Sequence, residues 1–159
     1  VMSASMKKFN EFPSPQEGFI PLSEEQLAIL EAQVESEQPV ATTQSQFNYG
    51  WGLIKSNDND DVKTGINIIT EIFKTTPSRR TECIYYLSLA CFKIKEYQEA
   101  TRYIDTLLTY QPENTNAIKL KKMIENELAK DSLIGFAIIS SAVAATVGIA
   151  SFFMRRNNK

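Results

Sequence analysis

The chain has 159 residues, 43% of them hydrophobic, which is enough apolar material for one core plus a short accessory segment. It contains no histidine, so the usual general base near neutral pH and the commonest metal ligand are absent. The net charge is −2; taking Arg155, Arg156 and Lys159 of the tail from the 17 basic residues leaves 14 against 19 acidic ones, a balance of −5. An acidic domain of this kind is not expected to bind nucleic acid.

Residues 1–22 read as a flexible N-terminal arm. Pro13, Pro15, Pro21 and Gly18 break any helical period. Yet the arm also carries Phe9, Phe12, Phe19 and Ile20, large apolar groups with nothing local to pack on. Phe12 and Phe19 are therefore expected to dock onto the chain's own folded domain, residues 23–130. That domain opens at Ser23, which with Gln26 forms a capping box, and Glu24 and Glu25 favour the positive end of the helix. Leu27, Leu30 and Val34 give this helix its apolar stripe, and Pro39 marks the loop after it.

From about Thr43 the chain repeats itself. QFNYGWGLIKSNDNDDVKTGINIITEIFKTTP is followed by TECIYYLSLACFKIKEYQEATRYIDTLLTYQP. Gly65 aligns with Ala100, Ile69 with Ile104, Ile72 with Leu107 and Pro77 with Pro112, each at a spacing of 35, while Trp51–Gly52 answers Leu87–Ser88 at 36. Two helices per unit of about 34 residues is the tetratricopeptide signature. Small residues at Gly52, Ser88, Gly65 and Ala100 are expected where paired helices approach closely. A last helix, Asn116 to Lys130, has Ile118, Leu120, Met123, Ile124 and Leu128 as its apolar set and is expected to cap the stack.

Leu133 to Met154, LIGFAIISSAVAATVGIASFFM, carries no charge. As a helix its length is roughly 33 Å, the span of a bilayer core. Residues 131–154 are thus predicted to be a transmembrane anchor, followed by a basic tail at 155–159. With so little chain after the span, the helical domain is expected to face the cytosol, overriding the preference of the basic tail for that side. Ser140, Ala144 and Gly148 form a small-residue ridge suited to self-association in lipid. The fold class is therefore all-α: a six-helix bundle with two tetratricopeptide-like hairpins plus a C-terminal transmembrane helix.

No reaction centre or cofactor site is apparent. Cys83 and Cys91 lie about 12 Å apart if they share a helix, too far for a disulfide, and read as buried thiols. Asp58-Asn59-Asp60-Asp61 lacks the glycine and the bidentate glutamate of a calcium loop and reads as a helix cap. What remains is a binding surface. The first helix of each tetratricopeptide pair lines a concave face, and there this chain places Tyr49 and Leu53, then Tyr85, Leu89 and Phe92. These are expected to form a partly exposed aromatic groove for a helix or extended peptide, with Trp51, Ile54, Ile84 and Leu87 on the opposite, packed face. A chaperone-tail clamp would need Lys and Asn where Tyr49 and Leu53 stand.

FNYGWGLIKS, SRRTECIYYLSLACFKIKEYQEATRYIDTLL and the terminal FFMRRNNK resemble the fungal mitochondrial fission protein 1 family, from about Phe19 through the tail. The resemblance implies a tail-anchored receptor of the mitochondrial outer membrane, with a role in peroxisome division as well. It implies a groove that binds an adaptor bearing a β-propeller, which in turn brings a dynamin-related GTPase, and an arm that packs into that groove. The arm departs from the family: Phe12 stands where a Trp is familiar, and SPSP makes it richer in proline. The competing reading is a tail-anchored tetratricopeptide receptor or co-chaperone for protein import, which the uncharged aromatic groove disfavours.

Overall fold

The structure, a computed structural model, describes residues 12–131. Among them are six α-helices and no strand: α1 (Glu24–Ser36), α2 (Thr43–Ile54), α3 (Asn59–Thr75), α4 (Arg80–Lys93), α5 (Tyr97–Tyr110) and α6 (Thr115–Lys130). Short 3-10 segments at Pro15–Phe19 and Pro77–Arg79 precede α1 and α4. The described residues divide into two units between Ile124 and Glu125. No helix among the described residues is long and apolar enough to cross a membrane. The predicted span Leu133–Met154, its ridge Ser140, Ala144 and Gly148, and the basic tail lie outside the described residues.

Local signals set the helix ends. Ser23 and Gln26 close the expected capping box, with Ser23 N–H donating to Gln26 Oε1 at 3.0 Å and Gln26 N–H to Ser23 Oγ at 3.1 Å. Thr42 caps α2 through Ser45 N–H, and Asp58 caps α3 through Asp60 N–H at 2.8 Å. No group of acidic or cysteine side chains among the described residues could hold a metal ion. Helices α3 and α5 each stop two residues before a proline, at Thr75 and Tyr110, because proline disfavours helical geometry in the residue ahead of it.

α2 pairs with α3 and α4 with α5, the two hairpins predicted from the repeat. Ile69, Ile72, Ile104 and Leu107 are each no more than 1% exposed. Gly65 permits a close crossing of α2 and α3: a Cβ there would lie 2.7 Å from the carbonyl oxygen of Gly50 and 2.8 Å from Ile54 Cγ1. In the second hairpin Ser88 Oγ donates to the Ala100 carbonyl at 2.7 Å, so the small side chain also cross-links the two helices. Gly52 serves a different contact from the expected one. A Cβ on it would meet Leu30, Leu22 and Leu27 at 3.0–3.2 Å, so it seats α1 while Gly50 faces Gly65. Ala117, Leu120 and Ile124 bury one face of α6; Ile118, expected in that set, is 46% exposed because it falls off the stripe that they define.

Residues 83–92 of α4 are all buried. A helix apolar on every face needs cover on every face, which places α4 at the centre of the domain. Cys83 and Cys91 are free thiols within this run, and burial pushes both up to about 12, so neither is a ready nucleophile.

Glu37 ties the α1–α2 loop together. Its carboxylate accepts from Ser45 Oγ at 2.6 Å, Gln33 Nε2 at 2.9 Å and Thr42 N–H at 2.6 Å. These hydrogen bonds, Ser45 foremost, lower its pKa from 4.5 to about 2. The folded pKa lies below the unfolded one, so the contribution is complete above pH 4.5. It is lost as pH falls toward 2, where the unfolded chain takes up the proton first. Glu37→Gln is therefore expected to flatten the fall in melting temperature between pH 4.5 and 2. An unchanged slope would show that these bonds do not couple to folding.

Candidate functional site

The face of α4 carrying Tyr85, Leu89 and Phe92 is covered by the arm. Ser14, between Pro13 and Pro15, is extended at φ −63° and ψ 152° and caps the turn that follows. The chain then makes the 3-10 turn Pro15–Phe19, in which Pro15 and Gly18 are buried. Phe12 stacks on Tyr85 with ring centroids 4.9 Å apart and 8° between planes, and meets Tyr86 edge-on at 6.5 Å. Gly18 lies against Leu89, where a Cβ would come within 2.8 Å of Leu89 Cδ2. Phe19 meets Phe92 edge-on at 5.9 Å. The three α4 positions each have a partner in the arm, in matching order.

Polar bonds fix the arm's register. Tyr85 OH donates to the Pro13 carbonyl at 2.6 Å, and Asn116 Nδ2, on the first turn of α6, donates to the Phe12 carbonyl at 2.7 Å. Burial pushes the phenols of Tyr85 and Tyr86 above their ordinary range, so both keep their protons. At the far end Lys93 Nζ donates to the carbonyls of Ile54 at 2.5 Å and Ser56 at 2.7 Å, capping the end of α2, and sits 5.5 Å from the Phe19 ring centroid. Desolvation, with Lys55 nearby, lowers its pKa to about 8.

With the arm in place the expected partly exposed groove is closed: Tyr85 and Leu89 are fully buried and Phe92 is 9% exposed. Phe19 remains 44% and Ile20 61% exposed. Tyr49 and Leu53 hold the equivalent positions in the first repeat, but Tyr49 is turned to α1, its hydroxyl donating to Glu31 Oε1 at 3.1 Å. Leu53 is buried at 4% exposure. The first-repeat aromatics that reach the α4 cluster are Phe47 and Trp51, both edge-on to Tyr86 at 4.8 and 4.9 Å. Arg79 lies 4.4 Å over Phe47 and is held by Glu82 and Gln44. Asn116 had no signal in the sequence, because a polar residue in a helix's first turn looks like a solvated one.

Two family models match, a Fis1 N-terminal tetratricopeptide repeat over residues 44–76 and a Fis1 C-terminal tetratricopeptide repeat over residues 81–133. The chain is 43% identical to the mitochondrial fission 1 protein of Saccharomyces cerevisiae over 97% of its own length and 100% of that protein's. It is 47% identical to that of Debaryomyces hansenii over 91% and 95%. It is similar to the crystal structure of yeast Fis1 in complex with an Mdv1 fragment containing the N-terminal extension and coiled coil domains. That match has a TM-score of 0.74 and 45% identity, covering 77% of this chain and 98% of that one. Yeast Fis1 complexed with a Caf4 fragment matches with a TM-score of 0.58 and 49% identity over 60% and 99%. Its two tetratricopeptide repeats and its nearly full-length likeness to these proteins show that the chain belongs to the mitochondrial fission 1 protein family.

Proposed function

We propose that this chain is a receptor that recruits an adaptor for mitochondrial fission through the aromatic face of α4, and that its own arm competes for that face. The observation that carries the proposal is the seating of Phe12, Gly18 and Phe19 on Tyr85, Leu89 and Phe92: a helix face this apolar needs an occupant, and the chain supplies one that is held at its edge. The crystal structures of yeast Fis1 with Mdv1 and Caf4 fragments support adaptor binding as the role. In this proposal Leu133–Met154 anchors the chain in the mitochondrial outer membrane with the helices facing the cytosol, and the chain serves peroxisome division too. The adaptor carries a β-propeller and brings a dynamin-related GTPase, which this chain contacts only indirectly. The ridge Ser140, Ala144 and Gly148 allows self-association in the bilayer. Tyr49 and Leu53, assigned to the groove from the repeat, are given no binding role, since Tyr49 faces α1 and Leu53 is buried. No catalytic step is assigned to the chain.

One reconstitution tests recruitment and anchoring together. The full chain in vesicles of outer-membrane lipid should draw a labelled adaptor fragment to the membrane, and a chain ending at Lys130 should leave it in solution. Phe92→Ala should weaken binding by about 2 kcal/mol, the scale of an aromatic hot spot, under conditions where circular dichroism shows it folded. Equal recruitment by the folded variant would remove α4 from the site.

A further inference from the structure

We propose that Ser14 is a phosphorylation site: a protein kinase that requires proline directly after its target transfers phosphate from ATP to the Ser14 hydroxyl, and the phosphate holds the arm off α4. This rests on the proposed function, in which the arm competes for that face, and it names what regulates the competition.

Ser14 and Thr76 are the two hydroxyl residues of the chain that proline follows. Thr76 is locked between α3 and α4, its N–H donating to the Ile72 carbonyl at 2.8 Å and its carbonyl accepting from Arg79 N–H at 3.0 Å. A kinase draws the residues around its target into an extended strand, which at Thr76 would mean unwinding a helix end. Ser14 lies instead in the arm, at the centre of its seat. The main chain on both sides of it is engaged: Asn116 Nδ2 donates to the Phe12 carbonyl, Tyr85 OH to the Pro13 carbonyl and Glu17 N–H to the Ser14 carbonyl. Its own hydroxyl makes no capping bond and is half-buried. Bulk and charge added there strain every attachment around it.

The seat does not suit a dianion. Glu17 stands in the first turn of the 3-10 segment, and its charge adds to the burial that keeps the protons on Tyr85 and Tyr86. Phosphate at the start of a helix is ordinarily held by free N–H groups. Here Pro15 has none, and that of Glu17 is taken by the Ser14 carbonyl at 3.0 Å. Arg79, whose charge reaches Tyr86, is held by Glu82 and Gln44. Lys93, beside Phe19 at the other end of the arm, is bonded to the carbonyls of Ile54 and Ser56. A phosphate of about −1.5 to −2 charges is therefore better placed in water, and the arm leaves with it.

Burial also sets the order of events. Pro15 is buried in the seated arm, so a kinase reaches Ser14 only after the arm has opened locally. Ser14 Oγ then attacks the γ-phosphorus of ATP, its proton passes to the kinase's carboxylate, the bond to the β–γ bridging oxygen breaks and ADP leaves. The phosphate marks an opening that has happened and prevents the arm from reseating.

The test uses the full chain in vesicles of outer-membrane lipid, treated with ATP and a purified proline-directed kinase, with phosphate located by mass spectrometry. Phosphate is expected on Ser14 and is expected to be absent there from Ser14→Ala, a variant that removes no hydrogen bond of the turn. In the phosphorylated chain, amide hydrogen exchange across residues 16–20 should be at least tenfold faster and the adaptor fragment should bind at least fivefold more tightly. A phosphatase should reverse both. No phosphate on Ser14, or phosphate at Thr76 alone, overturns the inference. So does a phosphorylated chain whose arm exchanges no faster, and the proposed function then stands if the adaptor fragment still binds. If the phosphorylated arm opens but the adaptor fragment binds neither form, release by phosphate stands and the proposed function falls.

Discussion

Replacing Gly65 with leucine is expected to unfold the helical domain at temperatures where the unaltered chain is fully folded. A Cβ at 65 would sit 2.7 Å from the Gly50 carbonyl oxygen and 3.1 Å from the Ile54 amide nitrogen. Both are backbone atoms of α2, so relief requires the helices to separate, and separation opens the packing of Ile54 and Ile69, each 0% exposed. Overpacking usually costs about 1–3 kcal/mol, and a leucine at this crossing should exceed that range, a large share of a stability of roughly 5–15 kcal/mol. Even Gly65→Ala should lower the melting temperature measurably. Circular dichroism melts decide it: an unchanged transition for Gly65→Leu would mean that α2 and α3 do not cross there.

The second large effect is expected at Tyr85. Its side chain is fully buried, stacks on Phe12 and meets Tyr86 edge-on at 5.7 Å. Tyr85→Ala should cost about 3–5 kcal/mol, as large aromatic truncations in cores do. Tyr85→Phe keeps the stack and removes only the bond to the Pro13 carbonyl, for about 1 kcal/mol. Denaturant titrations of both variants give the two numbers. A loss below about 1 kcal/mol for the alanine variant would contradict the sealed packing of arm on helix. The sequence reading expected a partly exposed residue here, for which truncation would weaken binding and spare the fold. Burial under the arm joins the two effects, since under the proposed function the residue that receives the partner also holds the arm.

Much of this arrangement is legible in the sequence because it rests on short-range chemistry. Ser23 with Gln26, Asp58 ahead of α3, and the spacing of 35 from Ile69 to Ile104 and Ile72 to Leu107 each follow from patterns a single strip of sequence displays. The α4–α5 turn is different. Helix α4 ends in a Schellman motif, with Glu96 N–H bonded to the Cys91 carbonyl at 2.8 Å and Lys95 N–H to the Phe92 carbonyl at 3.1 Å. Glycine usually marks the left-handed position of that motif, but here it is Lys95, at φ 64°, so the usual cue is missing.

Long-range placement was harder to read. Tyr49 and Tyr85 are equivalent by spacing, yet their neighbours differ. α1 lies beside the first, through Glu31, and the arm beside the second, through Phe12 and Pro13. Nothing in the repeat says which segment covers which position. Nor does it say that Asn116, 104 residues from Phe12, completes the arm's seat. Leu22, the last residue of the predicted arm, belongs structurally with α1, since its Cδ1 lies 3.1 Å from where a Gly52 Cβ would be.

That last contact shapes the measurement that bears most directly on the central claim, that the arm is a removable cover on a binding face. Residues 1–20 should be deleted with Leu22 kept, and the chain compared with the full-length protein for binding of a hydrophobic dye and for helicity. The account predicts unchanged helical content and a clear rise in dye fluorescence as Tyr85, Leu89 and Phe92 open to solvent. Adding Phe92→Ala should then reduce that rise. Retained helicity with no gain in dye binding would contradict the account, because the face would then be closed without the arm and would be core alone.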